Sequence, residues 1–207
     1  MRYVIMANGH GTRWAGYGGG PKHLIEFDGE TLLRRMVRQL SQLDPRAEVV
    51  ISASDAAYET EGARRHIPER NEIELDRFVP ELITDEVCFL YGDTLYSNDA
   101  LMRIVRAGTS GVDFFGDEHG IVAVRSGDAD ALRTHLDRVR ALYVAGEIDD
   151  CKGWQLYQSY TGQPFGPPKP GAGFTVLDEL AVGFNTPDEY RAFTAVMTPT
   201  ARMPIVR

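Results

Sequence analysis

Seventeen residues near the start of the chain, Ala7 to His23, read ANGHGTRWAGYGGGPKH and carry six glycines. So much glycine sustains neither a helix nor a strand, because no residue loses more backbone freedom on ordering. The segment follows directly on Tyr3 to Ala7, a short apolar run that reads as a buried strand. Glycines at this density let successive backbone N–H groups converge on an anion, and Arg13 and Lys22 add two cations that a folded loop brings together. Such a loop suits a nucleoside triphosphate; by itself it reads equally as a flexible connection. It is not a Walker A loop, which needs GxxxxGK and then Ser or Thr, nor the dinucleotide fingerprint GxGxxG, because Trp14 stands where the third glycine belongs.

The order of elements after the loop points to an α/β fold. Leu32, Leu33, Met36, Val37, Leu40 and Leu43 recur at helical spacing, Arg34, Arg35 and Arg38 face away, and Thr31 stands as N-cap. Glu48 to Ser54 reads as the next strand. Val87 to Tyr91 is an all-apolar strand ending in Gly92 and Asp93, and the amphipathic stretch Asn98 to Ala107 follows it. Strands alternating with helices predict a mainly parallel sheet covered on both faces, a single three-layer α/β/α domain over 1–207. In such sheets ligands bind beyond the carboxyl ends of the strands, and both polar turns fall there. Val112 to Phe115 and Ile121 to Arg125 flank a Gly-Asp-Glu-His-Gly turn and read as a hairpin, which makes the sheet mixed. Asp128 to Ala145 carries Leu132, Leu136, Val139 and Leu142 on one helical face. Thr161 to Phe174 is dominated by proline and glycine and reads as a flap over the site or a subunit contact. Phe174 to Phe184 returns to strand character, and Pro187 opens a last helix.

Composition narrows the functions. Against 22 Lys and Arg stand 30 Asp and Glu, a formal net charge of -8, the wrong sign for holding a polyanionic duplex. No apolar run has the length of a membrane span, so nucleic acid and membrane are excluded as main partners and a cytoplasmic protein is expected. Cys88 and Cys151 have neither zinc spacing nor the density of a disulfide scaffold and read as reduced thiols. His10, His23, His66, His119 and His135 are scattered without zinc-site spacing.

Together these residues resemble the nucleotidyltransferases of the GT-A-like fold, which include sugar-phosphate, cytidylyl and molybdenum-cofactor guanylyl transferases. Their first strand runs into GxGTR, a spacer, PKxL, and a glycine followed by xxLLxR. Gly9, Gly11, Thr12, Arg13, Pro21, Lys22, Leu24, Gly29, Leu32, Leu33 and Arg35 reproduce that order. The likeness continues at LYGDT, where Asp93 ends a strand as the family's metal-binding aspartate does, and at GFNTPDEY near the C-terminal end. It implies a Rossmann-like nucleotide-diphospho-sugar transferase fold, with 1–110 as the nucleotide-binding half and 111–207 as the acceptor half. It also implies that Ala7, Asn8, Gly9, His10, Gly11 and Thr12 bind nucleotide, backbone N–H groups from Asn8 to Thr12 holding the triphosphate. Arg13 and Lys22 would stabilise the departing pyrophosphate, and Asp93 would hold a magnesium ion with Asn185 as second ligand. Asp178 and Asp188 compete for that last place; Asn185 is also placed to cap the final helix.

The implied reaction moves a nucleoside monophosphate from a nucleoside triphosphate to a small phosphorylated acceptor, a sugar, polyol or choline-like phosphate, for surface polysaccharide synthesis. It needs no Ser-His-Asp or Cys-His machinery, since a phosphate monoester with a second pKa of about 6 is already nucleophilic at neutral pH. Lys152 and Lys169 are the downstream lysines able to meet the acceptor phosphate, and His10 and His23 either touch phosphate or are ordinary loop residues. Trp154, Tyr157 and Tyr160 lie at i, i+3 and i+6 and read as the core face of a short helix rather than a sugar platform. The Gln and Gly-Thr signatures that often read the base are not evident in Asn71 to Asp85, which leaves the base open, as are the acceptor and any homo-oligomer. Two rivals stand beside this reading: a glycosyltransferase using a nucleotide sugar, disfavoured by the absence of a DxD motif at Asp93, and a non-catalytic nucleotide-binding protein. Without the resemblance Arg13 reads as a solvated loop cation and Lys22 as a surface lysine; with it, if Lys22 contacts phosphate chiefly in the transition state, Lys22→Ala is expected to lower the maximal rate by orders of magnitude and leave the melting temperature nearly unchanged.

Overall fold

The computed structural model of the chain describes residues 1–9, 11–14, 17, 20–108, 110–178 and 181–197. β1 (Arg2–Met6) leads through the glycine-rich segment and a 3-10 turn at Lys22–Leu24 to a small hairpin of β2 (Glu26–Phe27) and β3 (Glu30–Thr31), then to α1 (Leu32–Leu43) and β4 (Glu48–Ser52). Beyond a 3-10 turn at Ala56–Tyr58 come β5 (Arg64–His66), two more such turns at Glu74–Arg77 and Pro80–Leu82, β6 (Val87–Tyr91), β7 (Thr94–Tyr96) and α2 (Asn98–Arg106). The remainder is β8 (Val112–Gly116), β9 (Ile121–Ser126), α3 (Ala129–Val144), α4 (Gly153–Thr161), β10 (Phe174–Val176), β11 (Ala181–Gly183) and α5 (Pro187–Met197).

Among the described residues the main sheet has seven strands in the order β10-β8-β9-β6-β1-β4-β5. β1 pairs parallel to both β4 and β6, with Met6 opposite Ser52 on one side and Tyr91 on the other. β9 alone runs antiparallel, between β6 and β8, so the sheet is mixed and mostly parallel as the alternation of elements predicts. The period of two along β1 sorts the core: Tyr3 and Ile5 pack with Leu33, Met36, Leu40, Leu101 and Ile104 of α1 and α2. Val4 and Met6 pack on the other face, with Leu132, Leu136 and Val139 of α3 and Leu156 and Tyr157 of α4. Helices thus cover both faces, a three-layer α/β/α arrangement.

Local signals set the element ends. Thr31 Oγ1 accepts from the Arg34 N–H at 3.3 Å and caps α1; Asp128 Oδ1 accepts from Ala131 N–H at 2.9 Å and caps α3. One expectation is corrected and one element is added. The run Phe174 to Phe184 is two strands in different sheets, because Asp178 takes a left-handed backbone (φ 45°) that interrupts the extended chain. β10 then lies parallel to β8 at the main-sheet edge, while β11 crosses over to pair antiparallel with β7. Secondly, β5, with its Arg64-Arg65-His66 sequence, carries no strand signal; it exists through its pairing with β4 and closes one edge of the sheet with charged residues.

Candidate active site

The carboxyl ends of β1, β4 and β6 meet at one edge of the sheet, and the polar turns of the sequence gather there. Gly92 makes this close approach feasible. Its N–H donates to the Met6 carbonyl at 3.0 Å, and a Cβ at this position would lie 2.9 Å from that oxygen. Asp93 is thereby delivered beside the segment that leaves β1. Lys22 reaches it from the Lys22–Leu24 turn: its ammonium pairs with the Asp93 carboxylate, and the two residues are only 8% and 9% exposed. The turn is pinned by the next residue, His23, which is buried edge-on to Tyr58 with ring centroids 5.6 Å apart.

Electrostatics follow from that burial. Burial alone would raise the Asp93 carboxyl, but its neighbours, Lys22 first, hold it below the usual carboxylate range, so it is ionised. Burial pushes the His23 imidazole down to about 4, the positive Lys22 and Arg77 adding to the effect. His23 is therefore neutral and packed inside, and of its two sequence readings the structure supports the one without phosphate.

A second cation–oxygen pair closes over the first from the far end of the chain. Arg13 Nη2 donates to Asn185 Oδ1 at 3.1 Å. Arg13 is positioned by Trp14, whose buried indole sits with Leu32, Leu95 and Phe184 and donates Nε1–H to the Tyr17 carbonyl at 3.1 Å. Asn185 is positioned by β11: Gly183 is opposite Thr94, and the Phe184 N–H donates to the Asp93 carbonyl at 3.0 Å. Asn185 does not cap α5 with its side chain. Thr186 Oγ1 accepts the Glu189 N–H, and Glu189 Oε2 accepts the Asn185 and Thr186 N–H groups at 2.6 and 3.2 Å, a reciprocal cap that leaves the Asn185 amide free for Arg13.

Arg13, Lys22, Asp93, Asn185 and Lys152 line one cavity of about 1480 Å³. Lys152 stands at its rim, paired with Asp150 at 2.6 Å. Lys169 is exposed and does not line the cavity, although Pro170 of the same Pro-Gly-rich loop does. Asp178 also lines it, whereas Asp188 is turned to Arg191. Among the loop residues, the Ala7 N–H is spent on the Ser52 carbonyl at 3.0 Å, Asn8 Oδ1 accepts the Ser54 N–H at 3.0 Å, and Gly11 takes a left-handed backbone (φ 58°). His10 lies outside the described residues.

Sequence reasoning missed several lining residues. Arg77 and Glu74, in the Glu74–Arg77 turn, face the cavity, and Glu74 Oε1 accepts the Tyr91 hydroxyl at 3.0 Å. Burial and Glu74 hold that phenol well above its ordinary pKa. Nothing in the pattern ELDR marks an irregular turn of this kind. Trp154 is the other case: Tyr157 is core as expected, but the Trp154 indole stacks on Phe174 at 5.2 Å, interplanar angle 2°, and lines the cavity. A period-three stripe does not distinguish a core ring from a cavity wall at the start of a helix.

A family model described as MobA-like NTP transferase domain matches residues 3–145. No curated protein sequence matches the chain significantly. Among solved structures, the CTP:phosphocholine cytidylyltransferase of Streptococcus pneumoniae superposes with a TM-score of 0.64 at 13% identity, covering 95% of this chain and 98% of that one. The inositol-1-phosphate CTP transferase from T. maritima gives 0.57 at 15% identity, covering 97% of each chain. A nucleoside-diphosphate-sugar pyrophosphorylase from Vibrio cholerae gives 0.60 at 12% identity, covering 94% of this chain and all of the other. These likenesses establish a shared fold.

Proposed function

The chain belongs to the MobA-like NTP transferase domain family, and from that premise we propose that it moves a nucleoside monophosphate from a nucleoside triphosphate to a small phosphorylated acceptor, releasing pyrophosphate. The observation that carries this reading is the convergence of Arg13 and Lys22 from the glycine-rich loop with Asp93 and Asn185 in one cavity. In the reaction an acceptor phosphate oxygen attacks the α-phosphorus and the bond to the bridging β-oxygen breaks. Negative charge builds on the leaving pyrophosphate, and the protein's work is to hold cations and N–H groups where it builds. Arg13 and Lys22 are those cations.

Asp93 and Asn185 offer one carboxylate and one amide oxygen, hard donors of the kind magnesium takes alongside substrate phosphates and water. They would hold that ion, whose chemistry there is neutralisation of the phosphate oxygens. At rest both oxygens are engaged by Lys22 and Arg13; an arriving triphosphate gives these cations another anion and frees the oxygens. Lys152 at the rim is the side chain placed to meet the acceptor phosphate, the half of the chain after residue 110 providing that wall. The names of the similar structures support an acceptor that is a phosphorylated alcohol or sugar.

Thermal unfolding with CTP, UTP, GTP, ATP and dTTP, each with and without magnesium, tests the reading and needs no acceptor. A triphosphate at about a hundred times its dissociation constant adds about 2.7 kcal/mol and raises the transition by several degrees. A magnesium-dependent shift with one triphosphate is expected. A shift with nucleoside diphosphate sugars alone would instead indicate glycosyl transfer, and no shift at all would remove the nucleotide site.

A further inference from the structure

Arg77 occupies an unusual position. A Cβ built on Gly9 would lie 3.3 Å from its Nη2 and 3.4 Å from its Cζ, so the guanidinium rests close against the backbone of the glycine-rich loop, where an added methyl would crowd it. It lines the same cavity as Arg13 and Lys22. Among the described residues it makes no hydrogen bond and no ion pair, and its Nε is buried without a partner. The carboxylates that share its cavity wall are committed elsewhere. Asp93 is paired with Lys22, and Glu74 Oε1 accepts the Tyr91 hydroxyl at 3.0 Å and the Gly153 N–H at 3.5 Å.

Its own neighbour in sequence, Asp76, is fully committed too. Asp76 Oδ2 accepts the Glu72 and Ile73 N–H groups at 2.8 and 3.0 Å, and its Oδ1 meets Arg140 of α3. On the other side Phe78 is buried against Phe89, ring centroids 5.1 Å apart. The turn is thus fixed on both flanks of Arg77, and the guanidinium it presents is charged, placed and unspent. Arginine at such a spot is costly to leave unpaired and suited to an anion with several oxygens, which a planar fork of donors meets in pairs.

Resting on the nucleotidyltransferase reading, we propose that Arg77 is a binding residue for the phosphate chain of the nucleotide, a third cation that meets it where it lies along Gly9. Arg13 and Lys22 arrive from the loop itself, whereas Arg77 arrives from an independent turn across the sheet edge. The phosphate chain is then held between them.

The test uses inorganic tripolyphosphate, which has no base, titrated calorimetrically into the metal-free protein beside the nucleoside triphosphates and the unphosphorylated nucleosides. Arg77→Ala should weaken tripolyphosphate by about tenfold or more, Arg77→Lys should recover part of the loss, and any nucleoside binding should be unaltered. Gly9→Ala, whose methyl would crowd the guanidinium, should weaken tripolyphosphate in the same direction by less than Arg77→Ala does. Equal tripolyphosphate affinity in wild type and Arg77→Ala would overturn the assignment and leave the nucleotidyltransferase reading standing. A change confined to base preference would overturn it in favour of a base contact, and a wild-type protein that binds neither tripolyphosphate nor any triphosphate would overturn both. Arg77→Lys keeps the charge and stem, so it separates loss of the anion contact from loss of folding.

Discussion

Lys22–Asp93 and Arg13–Asn185 are two versions of one contact, a cation from the glycine-rich segment on an oxygen at a strand end, and they differ in solvent. The first is shut inside the sheet edge, over the neutral His23 and beside Gly92; the second is exposed and spans 172 residues of sequence. A buried pair cannot lose one member without stranding the other, whereas an exposed pair yields its partner to water at little cost. On the proposed function, the same chemistry would serve folding and catalysis together in one place and catalysis alone in the other.

The sharpest way to break that contrast is Lys22→Ala. It should cost about 3 kcal/mol of stability by leaving the Asp93 carboxylate buried without its cation, and lower the maximal rate about a hundredfold or more. Denaturant melts and steady-state rates measure both, and adding Asp93→Asn should restore part of the stability but none of the rate. Next comes pH. His23 titrates near its ordinary 6.5 when unfolded and at about 4 when folded, so between these values the unfolded chain binds the extra proton and stability falls as pH is lowered. About 3 kcal/mol is lost across that window in the metal-free protein, and His23→Gln should flatten the dependence measured by thermal melts. The smallest effect on stability belongs to Arg13→Ala, within about 0.5 kcal/mol of wild type, with a rate at least about tenfold lower. A large melting shift in Arg13→Ala, or none in Lys22→Ala, would erase the distinction between the two pairs.

Sequence reasoning has Lys22 meet phosphate chiefly in the transition state and so expects its removal to leave the melting temperature nearly unchanged; its buried pair with Asp93 instead predicts a loss of stability, and that burial depends on Gly92 and His23, which are distant in sequence or uninformative in type. What periodicity carries well is whatever is local and regular: β1, α1, the β8–β9 hairpin and α3 each announce themselves by spacing and by a cap such as Thr31 or Asp128. Order along the chain then placed Arg13, Lys22, Asp93 and Asn185 through their resemblance to a family. Elements made by their partners stay silent. β5 is a strand because β4 pairs with it, and the cavity wall at Trp154 exists because Phe174 arrives beneath it. Arg77 has no motif at all, since its place depends on the Asp76–Arg140 contact between a short turn and a helix. Lys169 shows the converse: a lysine in a suggestive loop that is exposed and does not line the cavity.

The pairing of β11 with β7 has a consequence for how the molecule assembles. β1, β4 and β6 are joined by crossovers of 41 and 34 residues, less than half the span from β7 to β11, and bring the buried pair together among the first hundred residues. β7, next to Asp93, finds its only strand partner among the described residues in β11, almost ninety positions later, so the closure entropy of that long loop must be met before the exposed pair can form. A chain emerging from a ribosome would thus build the inner half of its site early and complete the outer half last, acquiring a folded sheet before it acquires the means to act.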